Sequence, residues 1–131
     1  MNITLKKMPI VAPRGIHNSR IKSINLVTQT PDGEACNRLV TEVELIDTEA
    51  ADQRPFVVSK IYNLDGNGAT LFAGDYRMWS GIRLSPEQLD SFNTEDAIDK
   101  PLRVKVDHRR AGKELIPIIV SWMPAETSNQ S

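Results

Sequence analysis

Between Lys100 and Pro124, two runs of alternating residues flank a short charged turn, and such a unit folds most readily as an antiparallel hairpin with one buried face. In Leu102-Arg103-Val104-Lys105-Val106-Asp107-His108 the apolar residues alternate with charged or polar ones, the period-2 mark of a half-buried strand. Arg109 to Lys113 breaks the pattern and carries Gly112, which can turn. Leu115 to Met123 returns as a strand rich in β-branched residues. Its Ile116, Ile118, Val120 and Trp122 share one parity, which is expected to face the core. Pro117 removes a ladder donor, so this strand is expected at an edge or with a local irregularity. The outer face and the tip of the hairpin are basic.

The remainder of the chain reads as completing a sheet around that hairpin. Met1 to Gly15 contains Pro9, Pro13 and Gly15 and reads as an extended arm whose Ile10 and Val11 can cover an open edge. A strand is expected over residues 17–30. Ile21 lies on one parity while Ile24 and Leu26 lie on the other, which predicts a bulge near Lys22-Ser23. Thr30-Pro31-Asp32-Gly33 is turn chemistry, with proline presetting one dihedral and glycine accepting positive φ. Strands follow over 38–46 and 56–64, the latter with Lys60 and Tyr62 on one parity.

Asp65-Gly66-Asn67-Gly68 opens like a calcium loop but lacks the downstream glutamate, and reads as a flexible turn. Thr70 is the expected cap of a helix that places Phe72, Tyr76 and Trp79 on one face and stops at Gly81; Gly74 weakens it. Ser85-Pro86-Glu87-Gln88 starts a second helix, ending near Phe92. An acidic connection, Asn93 to Asp99, leads into the hairpin, and residues 125–131 are expected to be a flexible tail.

Three strands, a helical segment and a two-stranded hairpin match the order of the OB-fold, a five-stranded Greek-key barrel, here assigned to residues 16–124. An α+β roll or a small β-sandwich gives the same string. A chain of 131 residues suits one domain, and 40% hydrophobic with 25% charged residues is ordinary for a globular protein. The net charge of −1 argues against a polycation that coats nucleic acid by bulk charge, yet leaves room for a local basic face. Cys36 alone can form neither an internal disulfide nor a cysteine-cluster metal site. No apolar run approaches a membrane span, and no long apolar core follows the N-terminal lysines, so a cytoplasmic setting is expected.

Ile16 to Pro124 resembles the small single-stranded-DNA-binding proteins of bacteriophages and mobile elements. The resemblance is carried by Gly15-Ile16, Arg20-Ile21, the Pro31-Asp32-Gly33 turn, Ile61-Tyr62-Asn63-Leu64, the Lys100–Val106 strand and Val120-Ser121-Trp122-Met123-Pro124. It rests on pattern rather than on a signature motif. It implies an OB barrel that binds single-stranded DNA in replication or recombination, with RNA and self-association left open. The end of the chain, from Glu126 to Ser131, holds one acid, unlike the acidic tails with which cellular single-strand binders recruit partners.

Such binding requires cations to track phosphates and aromatic rings to stack bases. The sequence supplies Arg38, Lys60, Arg103, Lys105, Arg109, Arg110 and Lys113 as cations and Tyr62 as the stacking candidate. Phe56, Phe72, Tyr76, Trp79 and Trp122 read as core. Alternating charge on a strand also marks a merely solvated face or protects an edge. No catalytic constellation is visible: His17 and His108 lie far apart, Cys36 has no evident base, and the glycines lack phosphate-loop context. No cofactor or metal is therefore expected. The rival reading from another class is a protein-interaction or assembly module of a phage built on the same barrel; a weaker one is a small-ligand pocket behind the Phe72, Tyr76 and Trp79 face.

Overall fold

The computed structural model of the protein describes residues 11–49, 53–85, 87–88 and 91–126. Five strands, β1 (Gly15–Gln29), β2 (Ala35–Glu49), β3 (Pro55–Asn63), β4 (Pro101–Ala111) and β5 (Glu114–Pro124), form one antiparallel sheet in the order β3-β2-β1-β4-β5. A single described helix of more than one turn, α1 (Gly68–Ser80), joins β3 to β4. β3 and β5 end the order and come within contact distance of each other, with no ladder between them among the described residues.

β1 holds the sheet together by pairing twice. Its first residues, Gly15 to Arg20, pair with β4, and Ser19 to Gln29 pair with β2. The expected bulge is present: the register shifts between Ile21 and Ser23, so Ile21 and Ile24 are both buried although their parities differ. The turn into β2 forms as its residues dictate. The Gly33 amide donates to the Thr30 carbonyl at 2.9 Å, with Gly33 at φ +89°.

β5 departs from the simple alternation. The ladder to β4 shifts between Lys105 and Val106, which leaves Val120 as an extra residue. Ile119 and Trp122 are buried as a result, Ile116 and Ile118 are half-buried, and Val120 is exposed. The expected face of Ile116, Ile118, Val120 and Trp122 is thus split by the bulge, although Trp122 itself belongs to the core. Pro117 lies in a terminal strand of the order, where a missing donor costs least.

α1 starts three residues earlier than expected, with Asn67 at the cap position and not Thr70. Its end is as expected: Gly81 adopts φ +78° and donates to the Arg77 carbonyl at 2.9 Å. Gly68 explains the early start. A Cβ there would sit 2.2 Å from the Asn63 carbonyl oxygen, so only glycine lets the helix begin against the end of β3. Buried Phe72, Tyr76 and Trp79 form the expected aromatic face, which packs with Tyr62 and the half-buried Phe92. Further on, the Ser85 hydroxyl accepts from the Gln88 amide at 3.2 Å and the Gln88 side chain accepts from the Ser85 amide at 2.8 Å, a reciprocal capping box. Glu87 and Gln88 are helical; Pro86 lies outside the described residues, as do the arm over 1–10 and the tail over 127–131. No described helix is long and apolar enough to cross a membrane.

Two substitutions probe this packing. Trp122→Ala should cost about 3–5 kcal/mol of stability in chemical denaturation. Gly68→Ala should cost about 1–3 kcal/mol, because the methyl group forces α1 away from the backbone of Asn63. Unchanged denaturation midpoints would refute both assignments.

Candidate nucleic-acid interface

Strand parity sorts the β4 side chains into two faces. Leu102, Val104 and Val106 enter the core. Arg103 and Lys105 occupy the other face, where they lie across from Asn18 and Ile16 of β1 and from Met123 and Ser121 of β5. Arg103 donates through Nε to the Pro124 carbonyl at 3.0 Å, which fixes its stem. Lys105 is exposed and forms no ion pair among the described residues. Beyond them, Arg109 and Arg110 end β4, and Gly112, at φ +63°, turns the chain with Lys113 beside it. Arg109, Arg110 and Lys113 are exposed and make no ion pair among the described residues.

The root of this tip is anchored. Asp107 pairs with Arg14 at 3.1 Å, and His108 donates through Nε2 to the Ala12 carbonyl at 2.7 Å. His17 places Nε2 2.7 Å from the Pro13 carbonyl oxygen and Nδ1 2.8 Å from Asp47 Oδ1. Two histidines far apart in sequence thus hold one stretch of backbone, Ala12-Pro13, against the start of the sheet.

Lys60 and Tyr62, expected on the binding face, are absorbed by the fold. Tyr62 is 2% exposed. Its hydroxyl donates to Asp75 Oδ2 at 2.7 Å, and the Lys60 ammonium donates to the same oxygen at 2.7 Å while lying 5.2 Å from the Tyr62 ring centroid. α1 delivers Asp75 to the inner parity of β3, where Phe56, Val58 and Tyr62 are buried. Burial first, then the hydrogen bond to Asp75 and its negative charge, hold the Tyr62 phenol well above its ordinary pKa. Tyr76 is raised as well, chiefly by burial, with Asp96 adding to it against the opposing effect of Ser80.

Arg38 lies on the outer parity of β2, across from Asn63 and Val27, exposed and without an ion pair among the described residues. Lys105 faces Ile16 instead, near the opposite end of β1, so the structure does not gather the expected cations into one patch. It leaves Arg103, Lys105, Arg109, Arg110 and Lys113 on one hairpin and Arg38 apart from them. The outer face of β2 and β3 carries Val40, Glu42, Glu44, Val57, Ser59 and Ile61, and no aromatic ring. Glu44 is tied to Arg20 at 2.6 Å.

Six of the seven aromatic rings are buried; Phe92 alone is partly exposed. Its role and that of Asp75 were not visible in the sequence, where Phe92 marked only a helix end. Cys36 is half-buried, with Sγ 3.5 Å from the Val27 carbonyl oxygen. Among the described residues no three His, Cys, Asp or Glu side chains assemble as metal ligands. The chain matches no family model and no curated protein.

The tyrosine environment predicts a specific alkaline response. A phenol whose folded pKa is raised contributes stability that is fully present below its ordinary value of about 10 and is lost as pH rises beyond it. Stability should therefore fall more steeply between about pH 9 and about pH 11 in the native protein than in Tyr62→Phe, measured by urea denaturation. Equal slopes would show that the phenol is not held in its neutral form.

Proposed function

We propose that the protein binds single-stranded DNA without strong sequence preference and that its sheet is an OB-type barrel. The strand order, the doubly paired and bulged β1 and the placement of α1 between β3 and β4 support the barrel. The observation that carries the function is the β4–β5 hairpin. Lys105, Arg109, Arg110 and Lys113 are exposed there without ion pairs among the described residues, on a chain whose net charge is −1. Cations left unpaired at a turn do little for folding, and they are what a phosphate backbone requires.

The withdrawal of Tyr62 and Lys60 shifts the site away from β3. Phosphates are held by the hairpin tip and by the outer face of β4, with Arg103 kept in place by its bond to Pro124. Replication and recombination intermediates are the single strands such a protein would meet.

Changing Arg109, Arg110 and Lys113 together to alanine tests the reading. Each phosphate contact on a single strand contributes a slope of about −0.7 in log affinity against log salt, so the triple variant should lose about −2 of slope. Affinity for oligo-dT and for mixed sequences should fall by similar factors in fluorescence anisotropy, with the melting temperature nearly unchanged. Wild-type affinity and slope in the triple variant would reduce the tip to a solvated turn and favour the interaction-module reading.

A further inference from the structure

Cations alone do not distinguish a DNA strand from any other polyanion; a single strand is also held by its bases. The outer face of β2 and β3 has no ring on which a base could stack, and six of the seven aromatic rings are buried. The remaining ring, the partly buried Phe92, lines a groove of about 490 Å³ between the far end of the β1–β2 hairpin and α1. Leu26, Leu39, Leu64, Ala69 and Phe72 complete its apolar wall, and Asn37 and Thr94 bring polar groups to it. We propose that this groove takes up one unstacked nucleobase of the bound strand, a reading that rests on the single-strand proposal above.

Several observations select that occupant. The groove falls within the size range of small-ligand sites and has their make-up, mostly apolar walls with a few polar groups. Leu26 is 58% exposed, so its apolar side chain is open to a ligand at the rim of the groove. Phe92 is held by T-shaped contacts to Phe72 at 5.6 Å and Tyr76 at 5.1 Å, so its ring is already positioned. The side chains of Asn37 and Thr94 make no hydrogen bond among the described residues. The Asn37 amide offers both donors and an acceptor, which suits the amide-like edge of a base.

Charge sets the orientation. Asp65 and Glu95 follow groove residues directly in sequence and repel phosphate, whereas Arg38, the neighbour of Asn37, is exposed and without an ion pair among the described residues. The base therefore enters with its phosphate turned away from Asp65 and Glu95.

Oligo-dT and a strand of the same length built from abasic units separate the two layers of the argument, since both carry the same phosphates. By anisotropy at fixed salt, the native protein should bind oligo-dT about tenfold more tightly than the abasic strand, the order that one stacked base contributes. Phe92→Ala and Leu26→Ser should each bring oligo-dT towards the abasic level while leaving abasic affinity and the salt slope unchanged. Should Phe92→Ala lower the melting temperature, Leu26→Ser alone decides, because Leu26 is exposed. A strand carrying 5-iodo-deoxyuridine should photo-crosslink at Phe92, located by mass spectrometry. Equal affinity for the two strands, or crosslinks only on the β4–β5 hairpin, would overturn the groove and leave the DNA reading intact. Binding to neither strand would overturn both.

Discussion

Everything in this fold depends on β1 pairing with β4 along its first half and with β2 along its second. A straight strand would hold both neighbours in one open sheet. The register shift between Ile21 and Ser23 lets the strand turn while Ile21 and Ile24 both remain buried. Bulged strands bend and twist more strongly than regular ones, which brings the two ends of a sheet towards each other. The contact between β3 and β5, the end strands of the order, is the consequence.

α1 fills the space that this curvature leaves, and it is held by polar as well as apolar contacts. Phe72, Tyr76 and Trp79 supply the apolar face, while Asp75 gathers Lys60 and Tyr62 onto one carboxylate oxygen. A buried phenol and a half-buried ammonium would each be costly without that partner. The same arrangement removes the Tyr62 ring from the surface of the sheet.

The basic residues are distributed by strand direction. β4 alternates core residues with Arg103, Lys105 and Asp107, and the chain continues into the exposed tip, so one hairpin collects five cations. β2 uses its outer parity for Arg38, Glu42 and Glu44. The two ends of the sheet therefore differ in electrostatic character although the chain is nearly neutral. Ala12-Pro13, held by His17 and His108, joins the start of β1 to the root of the tip.

The sequence alone determined where the strands lie, the bulge near Lys22-Ser23, the Thr30–Gly33 turn, the Ser85–Gln88 capping box and the helix stop at Gly81. Those are local matters of dihedral preference, hydrogen-bond reach and period-2 alternation, written within a few residues of where they act. Tertiary structure decided which parity faces inward. Alternation reports that Lys60 and Tyr62 share a face but not which face; Asp75, brought over by α1, settles it. It also decided the split face of β5, because the bulge at Val120 answers to the register with β4 and not to any signal in Ile116–Trp122. The early start of α1 has the same character: Gly68 reads as a loop residue until the backbone of Asn63 is placed against it, and that approach exists only once β3 and α1 have packed.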